Sequence, residues 1–153
     1  MGGLHELAAF GGQLVAILAV PQNWFVLIGA SLLGIVFGAL PGLTATLGVG
    51  LLATLTYGLG YQTALIALIA LYVGAIYGGS YPAILLNIPG TAASAASAMD
   101  GYPMSARGEG GRALGLTTTA SFIGTVLGMV ALAVLSPLIV EVALGFTSYE
   151  YFL

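Results

Sequence analysis

Between Leu7 and Met99 the chain contains no Asp, Glu, Lys or Arg, and the stretch from Ala113 to Val140 is equally free of charge. Water could not solvate so long a run on a soluble domain, whereas ~20 apolar residues suffice to cross the hydrocarbon of a bilayer once. The feature selects an all-α integral membrane protein, a polytopic helical bundle whose solvent is the lipid bilayer. Composition agrees: 59% of residues are hydrophobic and 5% charged, against about one quarter charged in soluble domains. The mean hydropathy is +1.11.

The same scarcity of polar groups narrows the function. Five acids face only Arg107 and Arg112, giving a net charge of −3, so there is no basic surface for nucleic acid. The absence of Cys removes disulfides and thiolate metal sites. Enzyme chemistry needs a nucleophile with its base, or a metal with its ligands. His5 is the only histidine, and Ser80, Ser94 and Ser97 have no obvious partner with which to form a catalytic pair. The expectation is a protein that is not an enzyme and carries no cofactor. No positively charged region precedes Leu14 to Val20, so no cleaved signal peptide is expected.

Along the chain, one transmembrane domain over 1–153 is expected, built from several pieces. Residues 1–20 carry Leu7, Phe10, Leu14, Ile17 and Leu18 on one helical stripe and read as an interfacial helix. Asn23 is placed to cap a helix from Trp24, whose ring suits the headgroup level. Trp24 to Leu40 would be ~25 Å long before Pro41-Gly42 stops it. A second short piece, Leu43 to Leu59, follows, so 24–59 reads as a broken helix or a re-entrant hairpin. Residues 61–100 read as a clean helix, Tyr61 to Gly78, then broken half-helices interrupted at Pro82 and Pro89-Gly90 and closed by Asp100-Gly101. Residues 101–112 hold both arginines and read as a polar loop, placed in the cytoplasm by the bias of basic residues. Residues 113–153 read as a transmembrane helix, a break after Ser136-Pro137, and the start of further segments, so the chain reads as a fragment. Gly34-x-x-x-Gly38, Gly74-x-x-x-Gly78 and Gly124-x-x-x-Gly128 are spaced for close helix packing in lipid.

The candidate site lies at the interruptions. Backbone freed at membrane depth must be covered by protein or face a water-filled cavity. Helix starts there offer N–H groups with about half a positive charge, and unwound carbonyls and hydroxyls can hold a cation. At the second break, Pro89 and Gly90 free the backbone, Asn87 supplies an amide, Thr91 caps or coordinates, and Ser94 and Ser97 share one face. Gly42, Thr44 and Thr46 offer similar groups at the first. Pro41-Gly42-Leu43-Thr44-Ala45-Thr46 is echoed by Pro89-Gly90-Thr91-Ala92-Ala93-Ser94, and paired interruptions of this kind point to a transporter site. Such a site could hold a carboxylate without a basic side chain. The rival reading is that the small hydroxyl residues only join helices. Asp100, the first charge after Glu6, is either a turn former at the surface or a group that couples transport to a cation.

Taken together, Gly34-x-x-x-Gly38-x-x-Pro41-Gly42-Leu43, Tyr77-Gly78-Gly79-Ser80, Asn87-Ile88-Pro89-Gly90-Thr91-Ala92-Ala93-Ser94, Asp100-Gly101-Tyr102-Pro103-Met104 and Gly110-Gly111-Arg112-Ala113-Leu114-Gly115 resemble the large membrane subunit of bacterial tripartite tricarboxylate transporters, the TctA family. The resemblance runs from Pro21 to Phe152 and matches only the N-terminal portion of such a protein. It departs at Thr91, where some members carry Glu. It implies a multi-pass permease of the inner membrane, secondary transport (symport) of a tricarboxylate-like solute driven by Na⁺ or H⁺, and two partners: a small membrane subunit and a periplasmic solute-binding protein. An oligomeric channel and a noncatalytic membrane scaffold are the competing expectations.

Overall fold

The computed structural model describes residues 11–12 and 15–144, with the side chains at 137–138 and 141–144 outside the description. Most of the expected interfacial helix over 1–20, and everything expected beyond Leu144, falls outside the described residues. Those residues contain no β-strand. They form α1 (Pro21–Ala39), α2 (Ala45–Leu55) continued by a 3₁₀ turn (Thr56–Gly58), α3 (Tyr61–Gly78) and α4 (Ser80–Leu86). A second 3₁₀ turn (Ala92–Ser94) leads into α5 (Ala95–Met104), then a π turn (Ser105–Glu109) and α6 (Gly110–Leu144). Three helical stretches, Pro21–Ala39, Tyr61–Leu86 and Ala92–Ser136, are long and apolar enough to cross a membrane. The protein is an all-α integral membrane protein, and its helices are interrupted at both Pro-Gly pairs.

The contacts divide the chain into a unit over Met1–Gly115 and a unit over Leu116–Leu153. In the first, α1 packs chiefly on α3 through two reciprocal glycine pairs. A Cβ on Gly34 would overlap the Leu71 carbonyl and one on Gly38 the Ala75 carbonyl, while one on Gly74 or Gly78 would overlap the Ser31 or Ile35 carbonyl. Without a hydrophobic driving force in lipid, this close backbone approach is what holds two helices together. At the other end of the pair the Thr63 hydroxyl donates to the Asn23 side-chain oxygen at 3.2 Å. Residue numbers rise together along both helices, so α1 and α3 are parallel.

That register fixes the path between them. Residues 40–60 must travel back the length of α1, ~28 Å for 19 residues. Gly48 lies against Phe37 and Leu71, and Val49 and Leu52 further on pack on the Ala30, Ala67 and Leu71 cluster with Val26. Of the two sequence expectations for 24–59, the geometry is that of a hairpin, with α2 folding back along α1. A discontinuous helix would carry its second piece on to the far side, leaving α3 antiparallel to α1.

Some local expectations give way. Helix α1 begins at Pro21, not Trp24. Asn23 lies inside it, its amide donating to the Ile17 carbonyl at 2.8 Å, while the Trp24 indole donates to Leu18. Asp100-Gly101 is not a turn. Gly101 lies within α5 because Ile84 of α4 needs the room, a Cβ there falling 2.7 Å from the Ile84 side chain. The expected polar loop over 101–112 is helical on either side of a kink: Pro103 sits inside α5, and Gly108, left-handed at φ 84°, interrupts the helical backbone. Arg112 pairs with Glu109 one turn back at 3.2 Å on the exposed surface. In the second unit the backbone stays helical through Ser136-Pro137, where a break was expected. Nothing lies within 4 Å of a Cβ built on Gly124 or Gly128.

Candidate functional site

The first break follows from the chemistry of Pro41 and Gly42. The Leu40 N–H donates to the Val36 carbonyl at 3.2 Å, but Pro41 has no N–H for the carbonyl of Phe37, and the helix ends. Gly42 then takes φ 95°, a left-handed conformation that glycine adopts without strain. Thr44 is extended, and its hydroxyl accepts from the Leu47 N–H at 3.2 Å, capping α2. Thr46 is exposed in the first turn of α2.

The second break is built differently. Asn87 ends α4 in the left-handed region, φ 59° and ψ 28°, which Asn tolerates better than most residues. The Asn87 and Ile88 N–H groups both reach the Pro82 carbonyl and close the helix end. Pro89 is exposed, and the Gly90 N–H donates to the Gly79 carbonyl at 3.3 Å. Past the extended Thr91, Ser94 closes the turn. Its hydroxyl accepts from the Thr91 N–H at 3.1 Å and donates to the Thr91 carbonyl at 2.7 Å. Ser94 is 2% exposed and its hydroxyl is fully engaged. The Thr91 hydroxyl oxygen, shielded from solvent, faces the Ser94 backbone N–H in a capping box.

The second break meets the last turn of α1. A Cβ on Gly90 would overlap the Gly38 carbonyl and lie 3.0 Å from the Gly79 Cα, and Gly38 precedes Pro41 by less than one helical turn. A Cβ on Gly79 would lie 2.7 Å from the Thr91 hydroxyl. Three glycines on three segments therefore form a backbone-to-backbone junction with no space for side chains. At each break the C-terminal end of one helix stands next to the N-terminal start of another, offering partial charges of both signs where the core has no formal charge.

Most of the other sequence candidates lie on the surface. Gly42, Thr44, Thr46, Asn87 and Pro89 are exposed, Gly90, Thr91 and Ser97 are half-buried, and Asp100 is exposed on α5. Sequence reasoning assigned Gly38 to packing alone and gave Gly79 no role at the site. The signal for Gly79 was present in Gly78-Gly79, since the second glycine is outside the Gly-x-x-x-Gly spacing and needs its own reason. Among the described residues no group of three or more His, Cys, Asp or Glu could hold a metal ion.

Helices interrupted at two Pro-Gly pairs, in an apolar bundle, define the class as a polytopic α-helical membrane protein. Residues 24–153 match the family described as the tripartite tricarboxylate transporter TctA family. The chain belongs to that family. It is also similar to an uncharacterized 52.8 kDa protein in the TAR-I ttuC' 3' region of Agrobacterium vitis, 41% identical over 121 residues, which is 79% of this chain and 24% of the relative. The chain thus spans about a quarter of that relative's length. No solved structure matches.

Proposed function

We propose that this chain contributes one lobe of the solute site in the large membrane subunit of a tripartite carboxylate transporter, a multi-pass permease of the bacterial inner membrane. The observation that carries the reading is the contact of Gly90 with the Gly38 carbonyl, which joins the Pro41-Gly42 and Pro89-Gly90 breaks. Helix starts at Thr44 and Thr91 supply N–H groups for a tricarboxylate-like anion, and the exposed Asn87 amide supplies a further donor. Secondary transport follows from one bundle moving against another around this site, driven by a cation gradient, with Asp100 as a candidate coupling group. Family membership supports the two partners, a small membrane subunit and a periplasmic solute-binding protein. It also supports a transport role over an enzymatic one.

Depth within the bilayer follows from Trp24. If its ring marks the headgroup level, the rise from Trp24 to Gly38 places the junction ~21 Å into a hydrocarbon layer ~30 Å thick. That puts it beyond the midplane. Arg107 and Arg112 assign the 101–112 side to the cytoplasm.

The test is uptake of radiolabelled citrate and related tricarboxylates by proteoliposomes holding a full-length transporter that carries this segment, with its binding protein added. Asn87→Ala should lower uptake at least ~10-fold, the effect of losing about 1.4 kcal/mol of solute binding, while membrane insertion is unchanged. Undiminished uptake in Asn87→Ala and in Thr44→Ala would leave the breaks with a structural role only.

A further inference from the structure

We infer that Gly79 is a hinge on which α4, with Asn87 at its end, turns against the α1–α3 pair, and that the bond between the Tyr77 and Tyr81 hydroxyls latches it. The inference rests on the transport reading above and supplies the moving part which that reading requires.

Two packing groups divide between adjacent residues. Gly74 and Gly78 are glycines because α1 comes against them, at the Ser31 and Ile35 carbonyls. Gly79, the next residue, has Thr91 against it instead, and beyond it Ile84 fills the space left at Gly101 of α5. Helix α3 therefore packs chiefly on α1, whereas α4 packs chiefly on α5. A helix of seven residues does not hold its shape alone, so α4 goes with the element that covers it.

The two groups meet without interlocking. Between α3 and α4 the helix is interrupted at Gly79 alone. The Gly79 carbonyl accepts from the Gly90 N–H at 3.3 Å, and Gly90 lies against the Gly38 carbonyl. Contact at this point is backbone on backbone. Hinges are a few element-terminal residues that absorb a change in φ and ψ, and glycine does so at the least steric cost.

The latch spans the hinge. Tyr77 is in the last turn of α3 and Tyr81 in the first turn of α4, with their hydroxyls 3.1 Å apart and their rings edge to face at 5.4 Å between centroids. Side chains four residues apart meet only while the backbone between them stays helical. Bending at Gly79 parts the two hydroxyls, and a hydroxyl that loses its partner in an apolar bundle is costly. The bond thus holds α4, and the exposed Asn87 amide with it, in the position described. Tyr77 and Tyr81 act as positioning residues, through Asn87.

Double electron–electron resonance reads the hinge in an otherwise cysteine-free full-length transporter carrying this segment, reconstituted in proteoliposomes. Spin labels at Phe25→Cys of α1 and Leu86→Cys of α4, both exposed, should give two distances. Labels at Val36→Cys of α1 and Tyr61→Cys of α3, also exposed, should give one. Tyr77→Phe and Tyr81→Phe keep the rings and remove a hydroxyl. Each should shift the ratio of the two α1–α4 distances about 3-fold, the effect of one hydrogen bond in a membrane bundle, and the double variant should shift it no further. An α1–α4 distribution unchanged in all three variants, or an α1–α3 distance that changes along with it, would overturn the inference. Citrate separates the hinge from the transport reading. Citrate uptake with a single, fixed α1–α4 distance removes the hinge and leaves the carboxylate site standing. The expected shift in the phenylalanine variants, with no uptake and no response to citrate, supports the hinge and removes the carboxylate reading.

Discussion

A single methyl group is the sharpest probe of the junction, because three backbones occupy the space it would need. Gly38→Ala forces its Cβ into the Ala75 carbonyl, and overpacking of this kind costs about 1–3 kcal/mol where the structure can give way at all. Gly124→Ala, where nothing lies within 4 Å, should stay within about 0.5 kcal/mol of the parent; urea unfolding in detergent compares the two. At Asn87 the backbone is left-handed. Asn87→Gly should leave stability nearly unchanged in the same assay, whereas Asn87→Val should cost roughly 1–2 kcal/mol from the clash of its Cβ with the following carbonyl. Thr91→Val, which removes the oxygen of the capping box, should cost about 1 kcal/mol in the same assay.

At the scale of elements, the parallel pairing of α1 and α3 determines everything between them, and crosslinking tests it. The chain has no Cys, so a pair introduced by Asn23→Cys and Thr63→Cys should be joined by a short bifunctional thiol reagent, since those side chains touch at 3.2 Å. Asn23→Cys with Ile76→Cys should not be joined, and the reverse outcome would mean an antiparallel pair. The interruptions themselves were legible in the sequence. Proline removes a donor and glycine accepts positive φ whatever surrounds them, so Pro41-Gly42 and Pro89-Gly90 break the helices by local chemistry alone. Tyr61–Gly78 was legible for the opposite reason, an unbroken apolar run between glycines. What misled was glycine used for packing. Gly101 and Gly108 look like loop residues beside Pro103 and Arg107, yet Gly101 makes room for Ile84 and Gly108 kinks a helix that continues. The path of 40–60 was hidden because helix direction depends on which glycine ridge meets which, a pairing no single segment encodes. The site was half legible: Asn87 to Ser94 was named, but Ser94 proves to be the clasp of its own turn, and Gly38 and Gly79 emerge only as the partners of Gly90 and Thr91.

For the whole molecule, the account holds that two breaks distant in sequence act as one solute site, using helix ends in place of ionic side chains. Its parts need not be equally rigid. The α1–α3 pair is locked by reciprocal backbone contact, whereas the exposed residues on either side of the junction, Thr44 and Asn87, are placed to meet a solute. Solute protection of single cysteines reads this out directly. Thr44→Cys and Asn87→Cys, made separately in a full-length transporter carrying this segment, are alkylated by a membrane-permeant maleimide while a tricarboxylate is titrated in. The account predicts that both rates fall, with the same half-maximal concentration, and that a cysteine at the remote Leu65 is unaffected. Protection of one position without the other, or at different concentrations, would contradict a single site built from both breaks.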